Sequence, residues 1–274
     1  METSVLGIAT CFNRREKTLT SLRRLMEGNP SIRFDFIITD DGSTDGTAQA
    51  LENMENVTVL TGSGSLYYSG GMRLAIDCAK KTGKTYDYCL LFNDDVAFFD
   101  GAIEYLAEKD RNTVWVGPTC DEAGALSYGG IVKASRWRPA VRRVMAATPE
   151  GLACDTFNAN CVLIPWKIFL SAPNIQPVYT HAMGDFDFGF QLKRRGAELR
   201  ASDRYVGLCP DNPPKGTWSD PSLPRMERLR RKETPKGLPR REWYFYLKDN
   251  YNPFTAVAYS VIPYIVGVTM MCDR

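Results

Sequence analysis

Short apolar runs alternating with amphipathic stretches set the pattern of the first hundred residues. Val5-Leu6-Gly7-Ile8-Ala9 reads as a buried strand, and residues 18–26 as a helix with Leu19, Leu22, Leu25 and Met26 on one face. Residues 34–39 form a second strand, and Asp45 is placed to cap a helix over 47–52. A third strand follows at 57–60. A helix over 72–80 turns Met72, Ala75, Ile76 and Ala79 inward, and the bulky run Tyr88-Cys89-Leu90-Leu91-Phe92 is the fourth strand. This order predicts an α/β protein with a mostly parallel sheet built by right-handed crossovers.

Beyond Asp100 the pattern is mixed. The spacing predicts a helix over 101–108, a strand over 113–116, a hairpin arm over 127–133 and a strand over 159–164 closed by Pro165. Residues 136–144 carry Arg136, Arg138, Arg142 and Arg143, a basic loop or ribbon. Residues 185–195 form a helix with Phe186, Phe190 and Leu192 as core candidates. From Cys209 to Pro239, seven prolines and many basic residues predict a tail that wraps rather than a second core. There is no internal repeat.

Composition narrows the class. The chain has 274 residues, 44% of them hydrophobic, which is ample for a core. A net charge of +2 carries no nucleic-acid signature. No long apolar stretch precedes the first strand, so no secretory signal is expected. Eight cysteines without a CxxC pair read as buried thiols in a reducing compartment, and a single His makes a structural zinc site a poor fit.

The candidate chemistry gathers at strand ends. Asn93-Asp94-Asp95 follows the fourth strand, at the edge where open α/β sheets place ligands. Adjacent carboxylates at a core boundary need a cation or hydrogen-bond donors, and hard divalent cations commonly bridge such groups to a diphosphate. A plain Asn/Asp turn is the alternative. Asp40-Asp41-Gly42-Ser43-Thr44-Asp45-Gly46-Thr47 follows the second strand, and a Gly/Ser/Tyr-rich segment over 62–71 follows the third, directly before a helix. Three acidic or Gly-rich turns on one edge favour a nucleotide pocket.

With these pieces in order, the chain resembles family 2 glycosyltransferases of the GT-A fold. The pieces are Thr10-Cys11-Phe12-Asn13-Arg14, the Asp40–Thr47 segment, Gly70-Gly71 with Arg73, Asn93-Asp94-Asp95, and Gly184-Asp185-Phe186-Asp187. The likeness covers residues 4 to 205 and is nearest to bacterial surface-polysaccharide and rhamnosyltransferase-like enzymes. It implies an inverting, metal-dependent transferase that moves a sugar from a UDP- or dTDP-sugar to a lipid-linked or oligosaccharide acceptor. It further implies that Thr10, Asn13, Arg14, Asp40, Asp41, Gly70, Gly71, Arg73 and Asp94 contact the nucleotide-sugar. Asp95 would bind Mg²⁺ or Mn²⁺, and Asp185 would be the general base. Asn158, Asn160, His181, Asp187 and Trp218 are assigned to the acceptor side, with Asp187 also readable as a structural carboxylate. Two departures stand out: Gly184 replaces a usual Glu, and no His follows as a further metal ligand, a place open to Asp211, Asp220 or water.

Residues 1–208 would be the catalytic domain, with a nucleotide half (1–100) and an acceptor half (101–208), and 209–274 a membrane-associating tail. The tail joins nine basic residues between Arg225 and Lys248 to the aromatics Trp243, Tyr244, Phe245 and Tyr246, then an apolar stretch over 254–271 broken by Pro263. That pattern fits peripheral attachment to an anionic membrane surface on the cytoplasmic face; a helix packed on the core is the alternative. Trp137, Trp166 and Trp218 are sugar-stacking candidates, with core packing the commoner role. A sugar-nucleotide pyrophosphorylase would need a Gly-rich basic loop after the first strand, where Thr-Cys-Phe-Asn-Arg-Arg stands instead. A non-catalytic carbohydrate-binding scaffold is the remaining alternative.

Overall fold

The structure is a computed structural model that describes residues 2–265. Four parallel strands form the first half of the sheet: β1 (Thr3–Cys11), β2 (Ile32–Asp40), β3 (Val57–Thr61) and β4 (Tyr88–Phe92). The strand Cys161–Pro165 adds antiparallel to β4, and Thr113–Val116, Glu198–Ala201 and Leu152–Ala153 complete an eight-stranded sheet. Helices α1 (Arg15–Glu27), α2 (Thr47–Glu52), α3 (Tyr67–Lys81), α4 (Ala102–Ala107), α5 (Trp166–Ser171) and α6 (Gly184–Arg194) connect the strands. They are followed by α7 (Arg225–Lys232), α8 (Arg240–Asn250) and α9 (Pro253–Ile265).

The sheet is covered on both faces, which is why its central strands are near-continuous apolar runs. Alternate β4 residues divide between two cores. Tyr88, Leu90 and Phe92 pack with Leu22 and Leu25 of α1 and Ile103 and Leu106 of α4. Cys89 and Leu91 pack with Met72, Ala75 and Ile76 of α3 and Phe188 of α6. Asp45 caps α2 as expected, its carboxylate accepting from the Thr47 amide at 3.1 Å and from the Thr47 hydroxyl.

Helix α3 starts five residues before the expected Met72. Its cap is remote in sequence: Asp41 accepts from the Tyr67 amide at 2.8 Å. Gly70 and Gly71 therefore lie inside the helix, against their low helix propensity, because α3 lies on β1. A Cβ at Gly71 would come within 2.8 Å of Thr10 Cβ. The expected arm over 127–133 divides between two small sheets: Leu126–Tyr128 pairs with Thr119–Cys120, while Gly130–Lys133 pairs with Val141–Val144 of the basic ribbon.

The aromatics of α8 do not all form a surface belt. Trp243 and Tyr246 are buried and stacked at 5.4 Å, with Tyr246 against Phe186 and Phe190 of α6. Tyr244 and Phe245 are half-buried. Among the described residues no helix is long and apolar enough to cross a membrane; the expected apolar stretch over 254–271 extends beyond those residues.

Candidate active site

Asp94 and Asp95 stand at the carboxyl end of β4 with different environments. Asp94 is buried and accepts from the Thr18 hydroxyl at 3.0 Å. Burial pushes its pKa up to about 6; the Arg14 guanidinium opposes this and the Asp95 charge adds to it. Asp95 remains a quarter exposed, at 26% of its side chain. Arg14 Nη1 bridges the pair, 3.1 Å from Asp94 Oδ1 and 2.8 Å from Asp95 Oδ2. The paired carboxylates thus hold a cation in this structure, as their juxtaposition requires.

A two-residue pairing brings in a neighbour that the sequence reading missed. Ala97–Phe98 pairs antiparallel with Gly207–Leu208, so Cys209 arrives beside the acidic turn. Its Sγ lies 3.9 Å from Asp95 Oδ1 and accepts from Asn160 Nδ2 at 3.4 Å. Burial and the Asp95 charge push this thiol up to about 12. Of the alternatives for a further ligand, Asp211 is paired with Arg143 at 2.5 Å, and Asp220 accepts from the Gly216 and Ser222 amides. Among the described residues no group of three His, Cys, Asp or Glu side chains is arranged around one metal position. The oxygen donors of Asp95 and Asp94 fit a hard divalent ion whose remaining ligands come from a diphosphate and water.

The candidate base is linked to this turn through three residues. Asp185 accepts from the Ala159 amide at 3.2 Å and from its neighbour Phe186 at 2.9 Å. The next residue, Asn160, gives its carbonyl to the Asn93 amide at 3.3 Å. Asn158-Ala159-Asn160 therefore spans from base to acidic turn, with Asn158 Oδ1 buried and unpaired. Burial pushes Asp185 up to about 6, held down in part by the Ala159 and Phe186 amides. Tyr68, also missed from the sequence, is half-buried, and desolvation and then the Asp185 charge raise its hydroxyl.

Gly184 has a steric reason. A side chain there would run into Ser69 and come within 3.1 Å of Ile175 Cγ2. Ser69 joins α3 to the segment before α6, its hydroxyl donating to the His181 carbonyl at 2.9 Å and its amide to Thr180 at 3.1 Å. His181 is half-buried, edge-on to Tyr67 and Tyr68, with Nδ1 unpaired. Burial, then the charges of Lys236 and Arg14, lowers it to about 4, so it is neutral at physiological pH.

Several expected ligand contacts are engaged elsewhere. Arg73 donates to the carbonyls of Gln176 at 3.0 Å and Tyr179 at 3.4 Å, and its Nη2 reaches back along α3 to within 3.7 Å of where a Cβ on Gly70 would stand. Gly70 and Gly71 let α3 pack closely, a Cβ at Gly71 meeting Thr10 and one at Gly70 lying 3.1 Å from Leu66 Cβ. Asp41 holds the Gly64 and Tyr67 amides, both at 2.8 Å, and Asp40 the Ser43 amide at 2.9 Å. Both carboxylates shape the loops that follow β2 and β3. Thr10 donates to the Thr39 carbonyl, and Asn13 accepts from the Thr44 amide at 2.8 Å.

Of the residues expected on the acceptor side, Asp187 is fully buried and bound to Gln176, Gln191 and Asn250 at 2.7–2.8 Å. Trp218 is buried in the core, as is Trp166, which stacks on Phe169; Trp137 is 65% exposed.

Among the described residues, three non-glycines have left-handed backbone: Asn13 after β1, Tyr67 opening α3 and Met183 before α6. All three border the site, where such strain is commonly held by surrounding structure.

Residues 8–123 match the sequence profile of glycosyl transferase family 2. No curated protein matches the chain. Solved structures that resemble it include S. aureus TarS residues 1–349 in complex with UDP-GlcNAc, at 13% identity, covering 99% of this chain and 78% of that one, TM-score 0.55. Another is the mannosyltransferase PcManGT from Pyrobaculum calidifontis with GDP-Man and Mn²⁺, at 13% identity, 96% and 70% coverage, TM-score 0.53. A third is GalNAc-T7 with UDP, GalNAc and Mn²⁺, at 14% identity, 96% and 57% coverage, TM-score 0.52. Over residues 8–123 the chain is thus similar to the family 2 glycosyl transferases, and along its length it shares the fold of these solved glycosyltransferase structures.

Proposed function

We propose that this enzyme is an inverting, metal-dependent transferase that takes its sugar from a UDP- or dTDP-sugar and passes it to a lipid-linked or oligosaccharide acceptor. The observation that carries the reading is the bridge between Asp185 and the Asp94–Asp95 turn through residues 158–160. This link supports a base and an anion-stabilising pair acting on one bound sugar, as displacement at an anomeric carbon requires. The neighbours with bound nucleotide-sugars and Mn²⁺ support the donor class.

Asp95, with Asp94 behind it, would hold Mg²⁺ or Mn²⁺. Such an ion supplies charge neutralisation to a departing nucleoside diphosphate. Arg14, 46% exposed, is free to turn from the carboxylates toward the same phosphates. Asp185 takes the proton of the attacking hydroxyl; a carboxylate raised to about 6 is a stronger base than an ordinary one and is still ionised at neutral pH. His181, neutral at physiological pH, would meet the acceptor or the diphosphate.

The test is thermal stabilisation by UDP, dTDP, ADP and GDP, with and without Mn²⁺. A shift with UDP or dTDP that needs Mn²⁺ is expected, since ligand at about 100 times its Kd adds about 2.7 kcal/mol. No metal-dependent shift with any of them overturns the reading.

A further inference from the structure

Helix α9 presents a more apolar face outward than inward. Its buried positions are Thr255, Ala256, Ser260 and Pro263. Facing out are Phe254 at 82% exposure, Val257 at 57% and Ile265 at 68%, with Ala258 exposed and Val261 half-buried between them. Positions 254, 257, 258, 261 and 265 form one helical stripe. A helix facing water does the reverse, turning its apolar stripe to the core.

Cations frame this stripe. Between α8 and α9 runs a groove of about 500 Å³, lined by Arg240, Arg241, Tyr244, Val257 and Val261. The groove's acid, Glu233, is already engaged by Lys232 Nζ, the Arg240 amide and the Tyr264 hydroxyl. At the other end, the Thr255 hydroxyl donates to the Trp137 carbonyl at 3.0 Å, which holds exposed Arg136, Trp137 and Arg138 beside the first turn of α9. Among the described residues, none of Arg136, Arg138, Arg240 and Arg241 forms an ion pair with a carboxylate.

We propose that this face docks on an anionic phospholipid surface, with α9 lying in the interface plane and a lipid phosphate seated between Arg240 and Arg241. Apolar side chains enter the acyl boundary while the flanking arginines meet headgroups, and an indole is at home at that depth. A second copy of the chain fits less well. A two-fold contact would set this patch against itself and bring arginine to arginine, whereas an anionic surface turns the same charges into attraction. The docked face is joined to the catalytic helix, because Asn250 at the end of α8 donates to Asp187, two residues from Asp185. The surface itself does not depend on the donor or acceptor proposed above.

The test is flotation of the full chain, without donor or metal, on vesicles of phosphatidylcholine alone or with about one third phosphatidylglycerol. Binding is expected only with phosphatidylglycerol, weakened by salt. The variants F254D/V257D and R240Q/R241Q should each reduce it at least about tenfold while keeping the wild-type far-UV spectrum and Tm. Asp185→Asn should bind as wild type, which separates this surface from the transfer reaction. Binding unchanged in F254D/V257D, or absent in the wild type, overturns the proposal. So does a wild-type dimer that F254D/V257D converts to monomer without any vesicle binding. Inorganic phosphate that competes fully at equal phosphate concentration would show a free-anion site and overturn the membrane assignment.

Discussion

Replacing Asp185 by Asn should abolish transfer and stabilise the fold. The carboxyl is raised from 3.8 to about 6, chiefly by burial. Two units at about 1.36 kcal/mol each set an upper bound of about 3 kcal/mol on the cost of keeping it ionised. Asn carries no charge, but its amide nitrogen faces one of the two amides that now donate to Asp185, which costs about 1 kcal/mol. The net gain is about 1–2 kcal/mol, or about 3–6 °C in Tm. A carboxylate raised on folding lowers stability as pH rises from its unfolded to its folded value, so the gain is full above about pH 6 and absent below about pH 4. Transfer should fall about 10²- to 10⁴-fold while nucleotide binding is kept. The measurements are Tm from pH 4 to 8 and turnover by release of nucleoside diphosphate. A stability gap independent of pH, or transfer near the wild-type rate, would refute the assignment.

Asp95→Ala should lose the Mn²⁺-dependent part of any nucleotide-induced thermal shift; a full shift in the variant counts against Asp95 as the metal carboxylate. In His181→Gln the acid limb of the pH–rate profile should stay near pH 6, because His181 is already lowered to about 4; movement of the limb would assign it to the imidazole. Asp187→Ala should cost about 3 kcal/mol in urea unfolding, since it strips the buried acceptor from Gln176, Gln191 and Asn250 and loosens α8. Gly71→Ala should cost about 1–3 kcal/mol by forcing α3 off Thr10, and an unchanged stability would show that the helix has room to shift.

Legibility followed sequence separation. The strand Tyr88–Phe92 and the helix Thr47–Glu52 were readable because burial on both sheet faces and an Asp cap leave local marks. The start of α3 was not, since its cap, Asp41, lies 26 residues away. For the same reason nothing local reveals that Gly70, Gly71 and Arg73 lie inside the helix that Tyr67 opens.

The sequence by itself determined the apolar strand runs, the order that makes them parallel, and the acidic turns at their carboxyl ends. These depend on side-chain period and on chain direction, which are one-dimensional properties. Only the tertiary structure decided how those turns are wired. The Ala97–Phe98 pairing with Gly207–Leu208 delivers Cys209 to Asp95, and the 158–160 turn ties Asp185 to the same site. It also set Asp185 and Asp187, two carboxylates two residues apart, in different surroundings: Asp187 is fully buried among three side-chain amides, while Asp185 meets the Ala159 amide. Contacts between distant segments are set by packing, and packing leaves no period for a sequence to show.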